Sequence, residues 1–569
     1  MNRDAPYTIF SLFYVLTILY FAIRPFTTRA QLILLFLPLS FVLVLTKPRR
    51  KLYPMPDKVE KAILFVLVII LILIGIYLFT QYHSLIYERK GAYSLTDYVL
   101  GAVLIVLSIE LTRKEYGLVI PVFTIAFILY AYFGWLFPGF LHHAGLPIHR
   151  VISIASLEFG TGSGVLGTLP QIGISWIAIF LIFAGIAQGF GALEHIIKGA
   201  YLLVRKFRSS LPQVSVLGSM FFGMFSGSGA ANAAAVGSFT IPLMKRYNIP
   251  ARVAAAIEAI AGSGGQIMPP IMGAAAFLMA DYLGTYYWNI ALKGFLPAFI
   301  YYASVALAVY LSTRGVIKPF SEASSDFGKI TGRSVLTALL PFIIGLITLI
   351  IAMGYFMLDI MLAGFLLTLS FLLTWLIQRI VTSKNRREVL KEFTRNFIDG
   401  VKAGAETTAS IVTMLACIGI IVGVLTTTGL AQKISFAMVD ISGGNLIILV
   451  MMAAIVCLIF GMAVTTVAAY VLTVTLAAPA LQALGVPPIL THFSVFYFGM
   501  IGLITPPVAP SCLVASGIAK SGFLETCKEA IKMGAALIIL PFTFYAHPEL
   551  FELSLATLYD ALIIGLGMG

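Results

Sequence analysis

The chain has 569 residues, of which 60% are hydrophobic and 11% charged, whereas soluble domains run near half apolar and a quarter charged. That composition excludes an ordinary water-soluble protein. The formal net charge of +13 does not make it a nucleic-acid binder either, because the basic residues sit between apolar runs. They fall at Lys47, Arg49, Arg50 and Lys51, at Lys198, Arg205, Lys206 and Arg208, and from Arg379 through Lys384, Arg386, Arg387, Lys391 and Arg395, as the positive-inside rule requires. Apolar runs of about 17–25 residues recur from Tyr7 onward, the length a helix needs to cross a hydrocarbon core roughly 30 Å thick.

In chain order, four spans are expected first, Tyr7 to Ile23, Ala30 to Thr46, Glu60 to Thr80 and Leu95 to Leu111. They read as a packing or anchoring module. The first is a span rather than a cleaved leader, because no small-residue cleavage pattern follows it. Taking the Lys47 to Lys51 loop as cytoplasmic puts the N-terminus inside and leaves Arg24, Arg29, Arg89, Lys90, Arg150, Lys293 and Lys433 outside. A fifth span, Tyr116 to Phe137, ends at a loop with His142, His143 and His149, read as an external loop rather than a metal site. Cys417, Cys457, Cys512 and Cys527 lack Cys-x-x-Cys spacing and are assigned no disulfide and no metal.

Beyond this point Gly, Ser and Thr enter the middle of apolar segments, where freed backbone groups must line a cavity or be buried in protein. Two such segments repeat at a spacing of about 238 residues. Phe222-Gly223-Met224, a patch from Ser226 to Asn232, Pro242 and Pro269-Pro270 are answered by Phe460-Gly461-Met462, Val464-Thr465-Thr466, Pro479 and Pro506-Pro507. An odd number of crossings lies between the copies, so the second is inverted. The first hairpin, Pro212 to Met244, is flanked by Arg208, Lys245 and Arg246, and the second, Asn445 to Leu484, by Asp440 and uncharged residues. Two amphipathic stretches are expected to lie in the interface plane, one with Leu193, Ile196, Ile197, Val204 and Phe207 on one face, the other with Leu390, Phe393, Phe397 and Val401.

The chemistry follows from the breaks. Ser226, Ser228 and Asn232, with Thr465 and Thr466 opposite, sit at the tips of re-entrant hairpins whose unpaired main-chain groups suit a hard cation or an anionic substrate group. Gly262, Ser263 and Gly264 precede Pro269-Pro270, and Gly502 and Thr505 precede Pro506-Pro507. Each proline pair must break a helix, freeing carbonyls for a cation and starting a helix N-terminus that favours an anion. Glu258, inside an apolar run, is a cation ligand or a proton carrier, or is bridged by Arg252. No Lys or Arg falls within Phe221 to Met244, Val253 to Gly284, Phe460 to Leu481 or Phe493 to Ala519. A carboxylate would therefore be held by helix ends, hydroxyls and Asn232. Neither a phosphate loop nor a His-Glu-x-x-His motif is present, and no catalytic residues are assigned.

Ser226-Gly227-Ser228-Gly229-Ala230-Ala231-Asn232-Ala233-Ala234-Ala235-Val236-Gly237, the stretch from Glu258 to Pro270 with Gly262-Ser263-Gly264-Gly265-Gln266, and Gly502-Leu503-Ile504-Thr505-Pro506-Pro507 resemble the signatures of tripartite ATP-independent periplasmic (TRAP) transporter permeases. The chain resembles the fused form, small and large subunits in one chain, and through Glu258 and Gln266 the branch working with TAXI-type binding proteins. The resemblance implies an inverted-repeat elevator-type transporter in the inner (cytoplasmic) membrane. It would import a small organic anion, coupled to Na⁺ or H⁺, from an extracytoplasmic binding protein, with no cofactor. The implied Na⁺ positions are Ser226, Ser228, Asn232, Gly262, Ser263, Thr465, Thr466, Gly502 and Thr505; many family members carry an acid where this chain has Asn232.

The expected organisation is a small-subunit-like module over 1–140 and a first repeat over 150–315, with its hairpin at 212–244 and broken helix at 250–283. Linking spans over 316–387 lead to a second repeat over 388–553, with its hairpin at 445–484 and broken helix at 488–519, and a last span over 554–569. Two other readings stay open: a carrier of the same superfamily that needs no binding protein, and an intramembrane enzyme, for which the spans supply no convergent nucleophile and base.

Overall fold

The computed structural model describes residues 4–24, 28–48, 56–159, 163–205, 210–315, 332–552 and 554–568. The basic positions Arg49, Arg50, Lys51, Lys206 and Arg208, with Phe207 and residues 316–331, lie outside these. Every regular element among the described residues is helical. Among the described residues eleven helices are long and apolar enough to cross a membrane. The chain divides into two compact units.

One unit comprises Met1–Phe190, Asp359–Phe365 and Asn385–Ala437. Its axis is the 42-residue helix Arg386–Thr427, on which Asp4–Ala22, Arg29–Thr46, Leu95–Tyr116, Val119–Tyr132 and Ala178–Gly189 pack. The closest approach is made by glycines: a Cβ on Gly185 would meet the Gly404 backbone, and one on Gly189 the backbone of Asn396 and Gly400. Thr112 Oγ1 donates to the Thr413 carbonyl at 3.1 Å, and the Cys417 thiol donates to Thr112 Oγ1 at 3.2 Å. Lys47 Nζ lies 2.8 Å from Glu406 and 3.3 Å from Glu115. Arg150 pairs with Glu158 at 2.5 Å.

Two expectations change here. The stretch with Leu390, Phe393, Phe397 and Val401 is not a separate interfacial helix, because it runs without a break into the span beyond Gly404. No proline interrupts it, and Gly400 and Gly404 are used for close packing rather than for a turn. Leu390 is exposed while Val401 is buried. The fifth span is shorter than expected: Gly117 leaves the helical conformation at φ +83°, and the helix over Val119–Tyr132 has 14 residues.

The other unit comprises Gly191–Leu358, Leu366–Lys384 and Met438–Gly569 and contains both repeated segments. Ala192–Val204 is the expected amphipathic helix, with Ile196, Ile197 and Val204 buried. The closing helix, Leu555–Met568, has 14 residues, about 21 Å at the helical rise and so shorter than a hydrocarbon core. It packs on Tyr287–Thr313, where Ser304 Oγ donates to the Gly565 carbonyl at 2.7 Å.

Candidate functional site

The first hairpin rises as helix Ser210–Ser226, breaks, and returns as Gly229–Ala235 and Gly237–Arg246. Gly227 turns the chain at φ +60°, a conformation that costs glycine least. Ser228 then takes an extended conformation and its Oγ accepts the Ala231 N–H at 3.4 Å, satisfying a donor at the start of the return arm. The second hairpin does the same with Leu446–Ala463 and Thr466–Ala483. There Thr465 is the cap, accepting the Ala468 N–H at 3.4 Å.

Each broken helix is built on one plan. Ala251–Gly264 ends in a single tight turn, Gly265–Ile267, and the chain resumes as Ala274–Tyr282 after Pro269-Pro270. The Gly273 N–H closes the break onto the Gln266 carbonyl at 2.6 Å. In the second copy Pro488–Ile501 ends and Pro510–Ala519 begins after Pro506-Pro507. Pro510 has no N–H, so Ser511 makes the closing bond, to the Leu503 carbonyl at 3.1 Å. Neither resumed helix has a side-chain cap, and each starts at the positive end of a helix dipole.

Hairpins and breaks meet through glycine. A Cβ on Gly223 would lie 2.5 Å from Gly265 Cα, and one on Gly461 2.5 Å from the Gly499 carbonyl oxygen. Asn232 is fully buried, and its Nδ2 donates to the Ser219 carbonyl at 2.8 Å and the Gly262 carbonyl at 3.2 Å. Those two acceptors fix the amide orientation and leave Asn232 Oδ1 buried without a donor among the described residues, where Ser226 Oγ is likewise buried and unpartnered. The two copies are joined by Ser263 Oγ donating to Ser511 Oγ at 3.1 Å. Gly229, at the first tip, leaves the space that Ser263, Ser511 and Leu503 occupy. The return arm of the first hairpin packs on Pro510–Ala519, and that of the second on Ala274–Tyr282.

Not every expected position points into this region. Ser228 is exposed and Thr466 buried. Thr505 Oγ1 is turned back onto the Ile501 carbonyl at 2.8 Å. Pro269 and Pro270 line an apolar groove with Trp288, Leu292, Phe295 and Ile350, while Pro507 is exposed. The face of Gly264 is filled by the Tyr301 ring.

Glu258 lies away from the tip, fully buried, and accepts from Ser215, Ser219 and Thr240, the last at 2.8 Å. Arg252 does not bridge it. Arg252 pairs with Glu529 at 3.3 Å, because six residues along a helix place it on another face and about 9 Å away. Ser215, Ser219, Thr240 and Ser511 were not singled out from sequence. The four-residue spacing of Ser215 and Ser219 puts them on one helix face, but nothing local names their partner.

In the histidine loop, His143 is a structural residue. Its Nε2 lies 3.0 Å from the Tyr130 carbonyl and its Nδ1 accepts the Gly145 N–H at 3.1 Å. Burial holds this imidazole below its ordinary value.

Two helical hairpins and two interrupted helices thus stand in a polytopic chain whose described regular elements are all helical, an architecture consistent with a membrane permease. Residues 103–550 match the family described as "Tripartite ATP-independent periplasmic transporter, DctM component". The chain belongs to that family. It is 26% identical to an isethionate TRAP transporter permease protein of Oleidesulfovibrio alaskensis over 70% of this chain and 62% of that one. It is 25% identical to the C4-dicarboxylate TRAP transporter large permease of Vibrio cholerae over 62% and 79%. It is 22% identical to the sialic acid TRAP transporter large permease of the same organism over 75% and 98%.

Proposed function

We propose that this chain is a fused TRAP permease of the inner membrane that imports a small carboxylate together with a cation, taking its substrate from an extracytoplasmic binding protein of the TAXI type. The observation that carries the reading is Asn232. A buried acceptor left unpaired costs about 1–3 kcal/mol, and here Asn232 Oδ1 and Ser226 Oγ both lack a partner among the described residues near the break of the first hairpin. A hard cation such as Na⁺ satisfies oxygens of this kind, with the tip's main-chain carbonyls as further ligands. The uncapped starts of Ala274–Tyr282 and Pro510–Ala519 suit the substrate carboxylate.

Cation and carboxylate together neutralise the polar tips, so the segment carrying them crosses the apolar phase at lower cost than either charged state alone. The small-subunit reading of residues 1–140 is supported over 1–102, which precede the matched stretch, while 103–140 fall inside it. It is further supported by the packing of Asp4–Ala22 and Arg29–Thr46 on Arg386–Thr427 within one unit.

The test is uptake into proteoliposomes of radiolabelled succinate, sialic acid and isethionate, each with and without the cognate receptor and an inward Na⁺ gradient. Accumulation that needs both, and that falls at least tenfold in Asn232→Ala with unchanged expression, is the expected result. Accumulation with neither receptor nor gradient contradicts the mechanism.

A further inference from the structure

The Glu258 cluster stands apart from the tip. The carboxyl is completely buried, and among the described residues no Lys, Arg or His pairs with it. Its partners are hydroxyls from two elements: Ser215 and Ser219 on the rising arm, Thr240 on the return arm. These oxygens already touch the carboxyl at hydrogen-bonding distance, so a metal ion could enter only by prising them apart. A proton needs no added space.

The inverted copy shows that the fold does not require this cluster. The Phe-Gly-Met register, 222 to 460, pairs Ser215 with Ala453 and Ser219 with Cys457. The Pro-Pro register, 269 to 506, pairs Glu258 with Val495, Thr240 with Ala477 and Gly237 with Val474. The structure supports this alignment, since Gly223 meets Gly265 where Gly461 meets Gly502. A Cβ on Gly237 would lie 2.8 Å from Glu258 Cγ, so glycine makes room for the acid; the second copy has valine at both places, and all five of its positions are buried. Acid, hydroxyls and the small residue are thus exchanged as a set. Burying a carboxyl is costly, and the same architecture is built without one.

We propose that Glu258 is a proton-carrying site of the permease, held ready by Ser215, Ser219 and Thr240. This rests on the transport reading above for its role in the cycle, and goes beyond it in naming the group and the ion. Thr240 Oγ1 lies 2.8 Å from Glu258 Oε2 and 3.1 Å from the Val236 carbonyl. When Glu258 is ionised, Thr240 donates to it. When Glu258 takes a proton from water on one side of the membrane, Thr240 turns its hydrogen to Val236 and accepts from the acid, since hydroxyl rotors reorient freely. Releasing that proton to water on the other side reverses both bonds.

The state of Glu258 reaches the tip through Ser219, whose carbonyl accepts from Asn232. Among other titratable groups on packed elements, Tyr302 is near enough to interact with Glu258 and donates to the Ala261 carbonyl at 3.0 Å. Tyr301 donates to Ile260. Lys245 is occupied by the Ala519 carbonyl and Glu529 by Arg252.

The experiment is infrared difference spectroscopy of the purified full-length chain in liposomes, titrated from acid to alkaline buffer without substrate. We expect one protonated-carboxyl band that disappears on alkalinisation and is missing in Glu258→Gln. Thr240→Val, which keeps the shape and removes one hydrogen bond, should move the frequency of that band. A pH-dependent spectrum unchanged in Glu258→Gln, or unchanged frequency in Thr240→Val, overturns the assignment, as does a Glu258 band that persists through every buffer in which the chain stays folded. A second arm measures receptor-dependent succinate accumulation under an inward Na⁺ gradient, with and without an added inward proton gradient. Glu258→Gln should lower the gain brought by the proton gradient at least tenfold, and an unaltered gain, or no gain in the wild type, overturns the coupling role. The spectroscopic arm uses no substrate, so its failure is separable from failure of the transport reading.

Discussion

The two copies of hairpin plus broken helix share their backbone devices and differ in what fills the space between them. Both place glycine where the rising arm crosses the break, both cap the return arm with a hydroxyl, Ser228 or Thr465, and both close the break with one N–H to a carbonyl. Between arm and broken helix the first copy has a carboxyl and three hydroxyls, the second Val474, Val495, Ala453, Cys457 and Ala477. Glycine and cap therefore belong to the architecture, whereas the acid belongs to one copy's task.

The sharpest way to break this comparison is to move the acid. Val495→Glu puts a carboxyl against Val474 where no matching hydroxyls stand, and an unpaired buried charge costs about 3–5 kcal/mol. Thermal unfolding in detergent should show a large loss, and adding Val474→Gly, Ala453→Ser, Cys457→Ser and Ala477→Thr should recover part of it. Wild-type stability in the single variant would mean that the second copy is not the apolar environment described.

A smaller effect tests what the copies share. Gly223→Ala and Gly461→Ala each force a Cβ onto backbone, and such overpacking typically costs about 1–3 kcal/mol. The two losses should be alike, while Gly517→Ala, on an open helix face, serves as a neutral or slightly stabilising control. A loss in one copy only would deny the common crossing.

The smallest effect concerns the caps. Ser228→Ala and Thr465→Ala should each lower stability by about 1 kcal/mol, seen as faster amide exchange in the return arm of the mutated hairpin alone. Exchange unchanged in both arms would show that the hydroxyls do not cap.

Much of this was legible before the structure, for definite reasons. Apolar run length announces a spanning helix, and a proline pair announces a break whatever surrounds it. The repeat from Phe222 to Phe460 and from Pro269 to Pro506 is likewise in the letters. The reading stopped at partners. Arg252 is the one nearby partner the sequence offers Glu258 as an alternative to an ion-carrying role, but the hydroxyls that engage it come from 43, 39 and 18 residues away.

The amino-acid order by itself fixed the membrane class, the two repeated segments, their breaks and the family, because length, hydropathy and proline act locally. Tertiary packing decided which polar atoms were left over. Asn232 Oδ1 has no donor among the described residues because Nδ2 is committed to Ser219 and Gly262, and Arg386–Thr427 continues as one helix because its glycines meet Gly185 and Gly189. Both outcomes depend on chains brought together across long sequence separations, where no window of sequence carries the information.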